Sequence, residues 1–192
     1  MTRHVLSIVV VILFAGCRHV ENTPVGVVNL LREVDRADKR PPTGFDLTTR
    51  EVGGTAHPSI VVPVPSRLTI SLPLPRHGML RGFVSLEQPP PGAAAAPIRL
   101  RVGVSDDRIY EQLTEVVLSP QERDWIPVQA DLGAYAGWKW SLFYHPDRIV
   151  WHVVLAADAI GGVPARAVWG SPEIVTDRES AKEYALRRMR LR

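Results

Sequence analysis

The 192-residue chain suits a single domain with extensions at its ends. Hydrophobic residues make up 45% and charged residues 22%, enough apolar material for a sizeable core. The net charge of +3 is small and its basic residues are scattered except near the C-terminus, which argues against a nucleic-acid partner.

Arg3 opens the chain with a positive charge, and residues 5–14 form an apolar run too short to span a bilayer as a helix. This pattern predicts a signal peptide over 1–16. Small residues, Ala15 and Gly16, stand before Cys17, the sole cysteine. The stretch Leu13-Phe14-Ala15-Gly16-Cys17 resembles the lipobox of bacterial lipoproteins, with Phe14 where leucine is commoner. The resemblance implies a diacylglyceryl group on the Cys17 sulfur, cleavage before it, and acylation (palmitate or similar) of the new amine. Two or three acyl chains anchor stably where one does not. An ordinary secretory signal and an uncleaved anchor are the competing readings.

Residues 23–39 read as an amphipathic helix, with Thr23 as cap, Pro24 at the first position and Val27, Leu30, Leu31 and Val34 on one side. Pro41-Pro42 ends it. Beyond residue 44 the period changes to two: Leu68, Ile70 and Leu72 alternate with Thr69 and Ser71, and Ile98, Leu100, Val102 and Val104 with Arg99 and Arg101. Similar short runs lie at 45–52, 60–64, 79–86, 113–118, 125–130, 139–144, 149–155 and 167–175, separated by Gly, Pro and Asp turns. The expectation is an antiparallel β-sandwich. Residues 88–97 are a low-complexity loop. The last segment is helical, capped by Thr176 or Asp177, with Ala181, Ala185 and Met189 on one face and arginines at its C-terminal end.

A second resemblance rests on Gly103, Val104, Ser105, Asp106 and Tyr110; on Trp125, Pro127, Asp131, Leu132, Tyr135, Ala136 and Gly137; and on Ala167, Trp169, Gly170 and Pro172. This set is similar to jelly-roll domains of the galactose-binding-like group found in bacterial envelope proteins. It implies that these are mainly fold-determining positions, with Leu132 and Tyr135 packed inward from one helical turn and Trp169 in the core. Ala165-Arg166 departs from the pattern, which often carries an acid there. The fold class expected is thus mainly β: an antiparallel jelly-roll-like β-sandwich with a short N-terminal helix and a C-terminal helix. Its parts are a signal peptide (1–16), a lipid-anchored segment with the helix (17–43), the sandwich (44–176) and a basic helix (177–192).

Catalytic motifs are missing from the chain: no nucleophile elbow, no metalloprotease helix and no glycine-rich phosphate loop. His152, between Trp151 and Val153, reads as a wet-face or hydrogen-bonded strand histidine. Asp106 and Asp107 offer hard oxygen ligands for a loop Ca²⁺ site, with a plain turn as the alternative. No other cofactor is expected. In the 139–144 strand Trp138, Trp140, Leu142 and Tyr144 share a face. Trp138 occupies a place usually polar in the resembled pattern, so it is the candidate exposed ring. The functional expectation is a non-catalytic binding or scaffold module held to the membrane through Cys17, on the periplasmic or outer face of the cell envelope. Trp138, Asp106 and Asp107 are its candidate ligand-binding residues, and a glycan or an envelope protein is its partner. The alternatives are an accessory subunit of an envelope hydrolase and a hydrolase in its own right.

Overall fold

The computed structural model describes residues 23–87, 96–136, 151–161 and 165–190. Cys17 and the expected signal peptide, Trp138 with the strand expected at 139–144, and most of the loop expected at 88–97 lie outside them. The described residues form two facing antiparallel sheets, a jelly-roll-like β-sandwich. In chain order the strands are β1 (Val25–Asn29), β2 (Asp38–Arg40), β3 (Asp46–Val52), β4 (Thr55–Val62), β5 (Ser66–Ser71), β6 (Met79–Leu86), β7 (Ile98–Ser105), β8 (Tyr110–Leu118), β9 (Ile126–Asp131), β10 (His152–Ala159) and β11 (Ala167–Thr176). One sheet has the order β3-β4-β11-β6-β9, with β1 also on β11; the other has the order β2-β5-β10-β7-β8.

β11 organises the first sheet. Its first half pairs with β4 (Trp169 opposite Ile60), and its second half pairs with β1 (Ile174 opposite Val28). The changeover falls at Ser171-Pro172. Proline has no N–H to give the ladder, and the pairing of β11 with β6 shifts register across the same residues. Trp169, 1% exposed, sits between Ile60 and Val84 in its own sheet and in one cluster with Leu68, Leu100, Val102 and Leu155 of the other. Leu132 is fully buried beside the one-turn 3-10 helix Gly133–Tyr135, and the Tyr135 ring meets Trp151 edge-on at 5.1 Å.

The N-terminal segment differs from the sequence expectation. Instead of one amphipathic helix over 23–39 there are β1, a 3-10 helix Leu30–Arg36 and β2, so both sheets recruit residues from before position 44. The free edge of β11 past Pro172 accepts the β-branched Val25, Val27 and Val28, and strand pairing overrides the helical period. Asn29, rather than Thr23, caps the helix, its side chain accepting from the Leu31 N–H at 3.0 Å. Leu30 and Val34 still enter the core. The C-terminal helix α1 (Arg178–Arg190) is where the sequence places it, and Asp177 caps it by accepting from the Ser180 N–H at 2.9 Å. Ser180 donates its hydroxyl to the same carboxylate, and these bonds hold Asp177 below the usual carboxylate range. Tyr184 of α1 is buried, and Arg188 pairs with Glu33 at 2.8 Å, fastening the helix to the N-terminal segment. Among the described residues no helix is long and apolar enough to cross a membrane.

Candidate functional site

Strand alternation sorts the five-stranded sheet into an inner face, carrying Leu68, Ile70, Val102, Val104, Val153 and Leu155, and an outer face. On the outer face the register aligns three rows. Arg40, Arg67, Ala156, Arg101 and Glu115 run across all five strands. Beside them run Asp38, Thr69, Val154, Gly103 and Gln112, and then Ser71, His152, Ser105 and Tyr110. The middle of the face is floored by small residues, with long side chains at its sides.

Tyr110 owes its position to Gly103. A Cβ on Gly103 would lie 2.6 and 2.7 Å from the Tyr110 ring and 2.5 Å from the Glu111 carbonyl, so only glycine admits the ring across β7. The register shift between Val102 and Gly103 brings β8 in at this point. From the far side Arg67 carries its guanidinium over the ring, 5.6 Å from its centroid. Tyr110 remains 38% exposed, and partial burial raises its phenol above the ordinary value. Arg101 pairs with Asp158, and Arg99 lies 3.4 Å from Glu115. The result is an aromatic ring fixed beside carboxylates and guanidinium groups.

At one end of this face Ser71, His152 and Asp107 form a line. Ser71 Oγ is 2.7 Å from His152 Nδ1, and Asp107 Oδ2 is 3.1 Å from Nε2. The His152 ring is largely buried, and its Nε2 makes no hydrogen bond of good geometry despite that distance. A hydrolytic relay needs the carboxylate N–H···O bond to orient the imidazole. The arrangement therefore works as a clamp between β5, β10 and the β7–β8 turn. Asp106 shapes that turn: its Oδ1 accepts from the Ile109 N–H at 2.9 Å and the Arg108 N–H at 3.1 Å, and these bonds lower its pKa. Asp107 is in the left-handed region, φ 70°, with its carboxylate in solvent apart from His152. Among the described residues no third His, Cys, Asp or Glu joins them as a metal ligand.

The outer face of the other sheet also carries aromatic rings. His57 stacks on Phe83 at 4.3 Å, and Trp125 meets His57 edge-on at 5.1 Å above Gly170, where a Cβ would lie 2.8 Å from the indole. Here the polar atoms are already used: the indole N–H donates to the Thr55 carbonyl at 2.8 Å, and His57 Nδ1 is 3.0 Å from Ser171 Oγ. The nearby charges balance as well. Arg50 pairs with Glu87, while Arg166, standing near the place where the resembled pattern often has an acid, holds Asp46 at 2.6 Å and the Gly44 carbonyl at 2.7 Å. This cluster packs and latches its sheet, and the Tyr110 face is the better site.

Of the residues singled out from sequence, Asp106 and Asp107 thus lie at the end of that face, whereas Trp138 and Cys17 fall outside the described residues. Arg67 is not among them, Arg101 enters only as a polar position in the 98–104 alternation, and Tyr110 only as a fold position. The signal available was the alternation itself, which puts Arg67, Arg99 and Arg101 on wet faces without telling that they share one.

Fold and face define an antiparallel β-sandwich whose outer sheet surface offers an aromatic ring and charged side chains. No family model matches the chain, and no curated protein does. Solved structures of similar fold include the CBM51-2 and INT domains of Clostridium perfringens ZmpB, at 11% identity and TM-score 0.49, over 70% of this chain and 26% of that one. The chain therefore spans about a quarter of that neighbour. Others are a C. perfringens CBM51 in complex with methyl-galactose (14% identity, TM-score 0.44, 68% of this chain and 79% of that one) and the CBM22-1 xylan-binding domain of Paenibacillus barcinonensis Xyn10C (15%, 0.43, 73% and 86%). At these identities the likeness extends to the fold alone.

Proposed function

We propose that the chain is a lipid-anchored module of the cell envelope that binds carbohydrate, without catalysis, on the outer face of its five-stranded sheet. The observation that carries this reading is the half-exposed Tyr110 ring seated on Gly103 beside Arg67, Arg101, Asp158 and Gln112. A sugar presents an apolar C–H face to such a ring and a rim of hydroxyls to fixed charged groups, and the charge-assisted hydrogen bonds supply orientation. The tether is Cys17, eight residues ahead of Val25, where β1 begins.

Two measurements test the halves separately. On a glycan array the detergent-solubilised full chain binds a subset of glycans, and Tyr110→Ala loses them. Retention of the whole pattern by Tyr110→Ala removes this face from consideration. Cys17→Ser releases the protein from the membrane fraction and abolishes lipid labelling; unchanged fractionation refutes the anchor. The Ser71–His152–Asp107 line favours a second reading, a hydrolase, although its carboxylate contact lacks relay geometry. Turnover of ester or glycoside substrates that Ser71→Ala abolishes would establish it.

A further inference from the structure

We infer that the ligand of the Tyr110 face is an acidic glycan, one that places a carboxylate or sulfate against the Arg67 guanidinium, with Arg101 across the row; this rests on the carbohydrate reading above. In the row Arg67, Ala156, Arg101 two arginines flank a residue so short that their side chains close over it, leaving Ala156 7% exposed. With neighbouring strands about 4.8 Å apart, their Cα atoms stand about 10 Å from each other. Guanidinium groups reaching inward from that separation span an anion's oxygens bidentately.

One arginine in these rows lacks an acidic partner. Arg40 pairs with Asp38, Arg99 with Glu115 and Arg101 with Asp158. Arg67 has no carboxylate partner among the described residues; its contact is the Tyr110 ring, a group that attracts a cation without neutralising it. Of these four arginines, Arg67 alone is left without a carboxylate. The hydrogen-bonding balance runs the same way. The Nε atoms of Arg67 and Arg101 are buried without a hydrogen-bond partner, while that of Arg99 lies 3.4 Å from Glu115. An acceptor-only group with a negative charge pairs with the Arg67 guanidinium more fully than a neutral hydroxyl does. Tyr110, beside them, stacks the ring that carries the anion.

The test compares matched sugars on the full chain in detergent micelles by calorimetry: a galacturonic-acid oligosaccharide against its methyl ester, and a sulfated galactan fragment against its desulfated form. One charged form binds about tenfold more tightly than its neutral partner, the size of a charge-assisted hydrogen bond. Which pair shows the preference tells carboxylate from sulfate. Arg67→Gln brings the ratio close to one, and Arg67→Lys, which keeps the charge but loses the fork, falls between. Should Arg67→Gln not fold, the wild type decides: added salt weakens the charged sugar selectively if the inference holds. Equal affinities for charged and neutral members, both abolished by Tyr110→Ala, would overturn the inference and leave the carbohydrate reading standing. Failure of every sugar to bind, or binding to phosphatidylglycerol vesicles alone, would overturn both.

Discussion

Gly103→Ala probes the one contact on which the proposed face depends. The added methyl carbon would come within 2.5 Å of the Glu111 carbonyl oxygen and 2.6 Å of the Tyr110 ring, where ordinary contact begins near 3.4 Å. The two obstacles yield differently. The ring can swing aside by about 0.8 Å, at the loss of its contact with Arg67, worth about 0.5–1 kcal/mol at such a partly exposed site. The carbonyl belongs to β8, which moves only by straining the ladder at the register shift between Val102 and Gly103. Overpacking of this kind costs about 1–3 kcal/mol. The expected loss of stability in urea denaturation is therefore about 2 kcal/mol, and glycan affinity falls with it. Repeating the substitution in a Tyr110→Ala background separates the parts: with the ring gone only the carbonyl clash remains, and Gly103→Ala costs less there than in the wild type. A loss under about 0.3 kcal/mol, or the same cost in both backgrounds, would show that the ring does not rest on Gly103.

Asp177→Ala removes the cap of α1 and lowers stability by about 1 kcal/mol at pH 7. Because bonds from Ser180 hold the folded Asp177 pKa below its unfolded value, this stabilisation is present above the unfolded pKa and lost as the pH falls through the folded one. Thermal melts of variant and wild type should differ at pH 7 and converge in strong acid; a constant difference at all pH values would contradict the cap. Trp169→Ala empties the centre of the sandwich and costs about 3–5 kcal/mol in urea denaturation, a loss that Trp169→Phe reduces without removing. A Trp169→Ala protein as stable as the wild type would mean that the core does not close over this ring.

What could be read from the sequence was whatever a strand or helix records about its own two faces. The alternation at 98–104 predicts β7, Leu132 and Trp169 are inward as expected, and α1 begins behind an Asp177 cap. The misread segment, 23–39, carries a genuine helical spacing at Leu30 and Val34, and the 3-10 helix does bury both. Its first half becomes a strand because of β11, nearly 150 residues away, whose Pro172 ends one pairing and leaves an edge for another. Periodicity within a segment contains no trace of such a vacancy. The proposed face is hidden for the same reason. Arg67 and Tyr110 meet because β10 and β7 lie between β5 and β8, an order that no local pattern encodes. Each arginine alone looks like a solvated strand residue, and each glycine like a weak point in a strand. Only the register turns Gly103 into a seat and Ala156 into the floor beneath two cations. The small residues thus make the face, because they let the long side chains of distant strands reach over them.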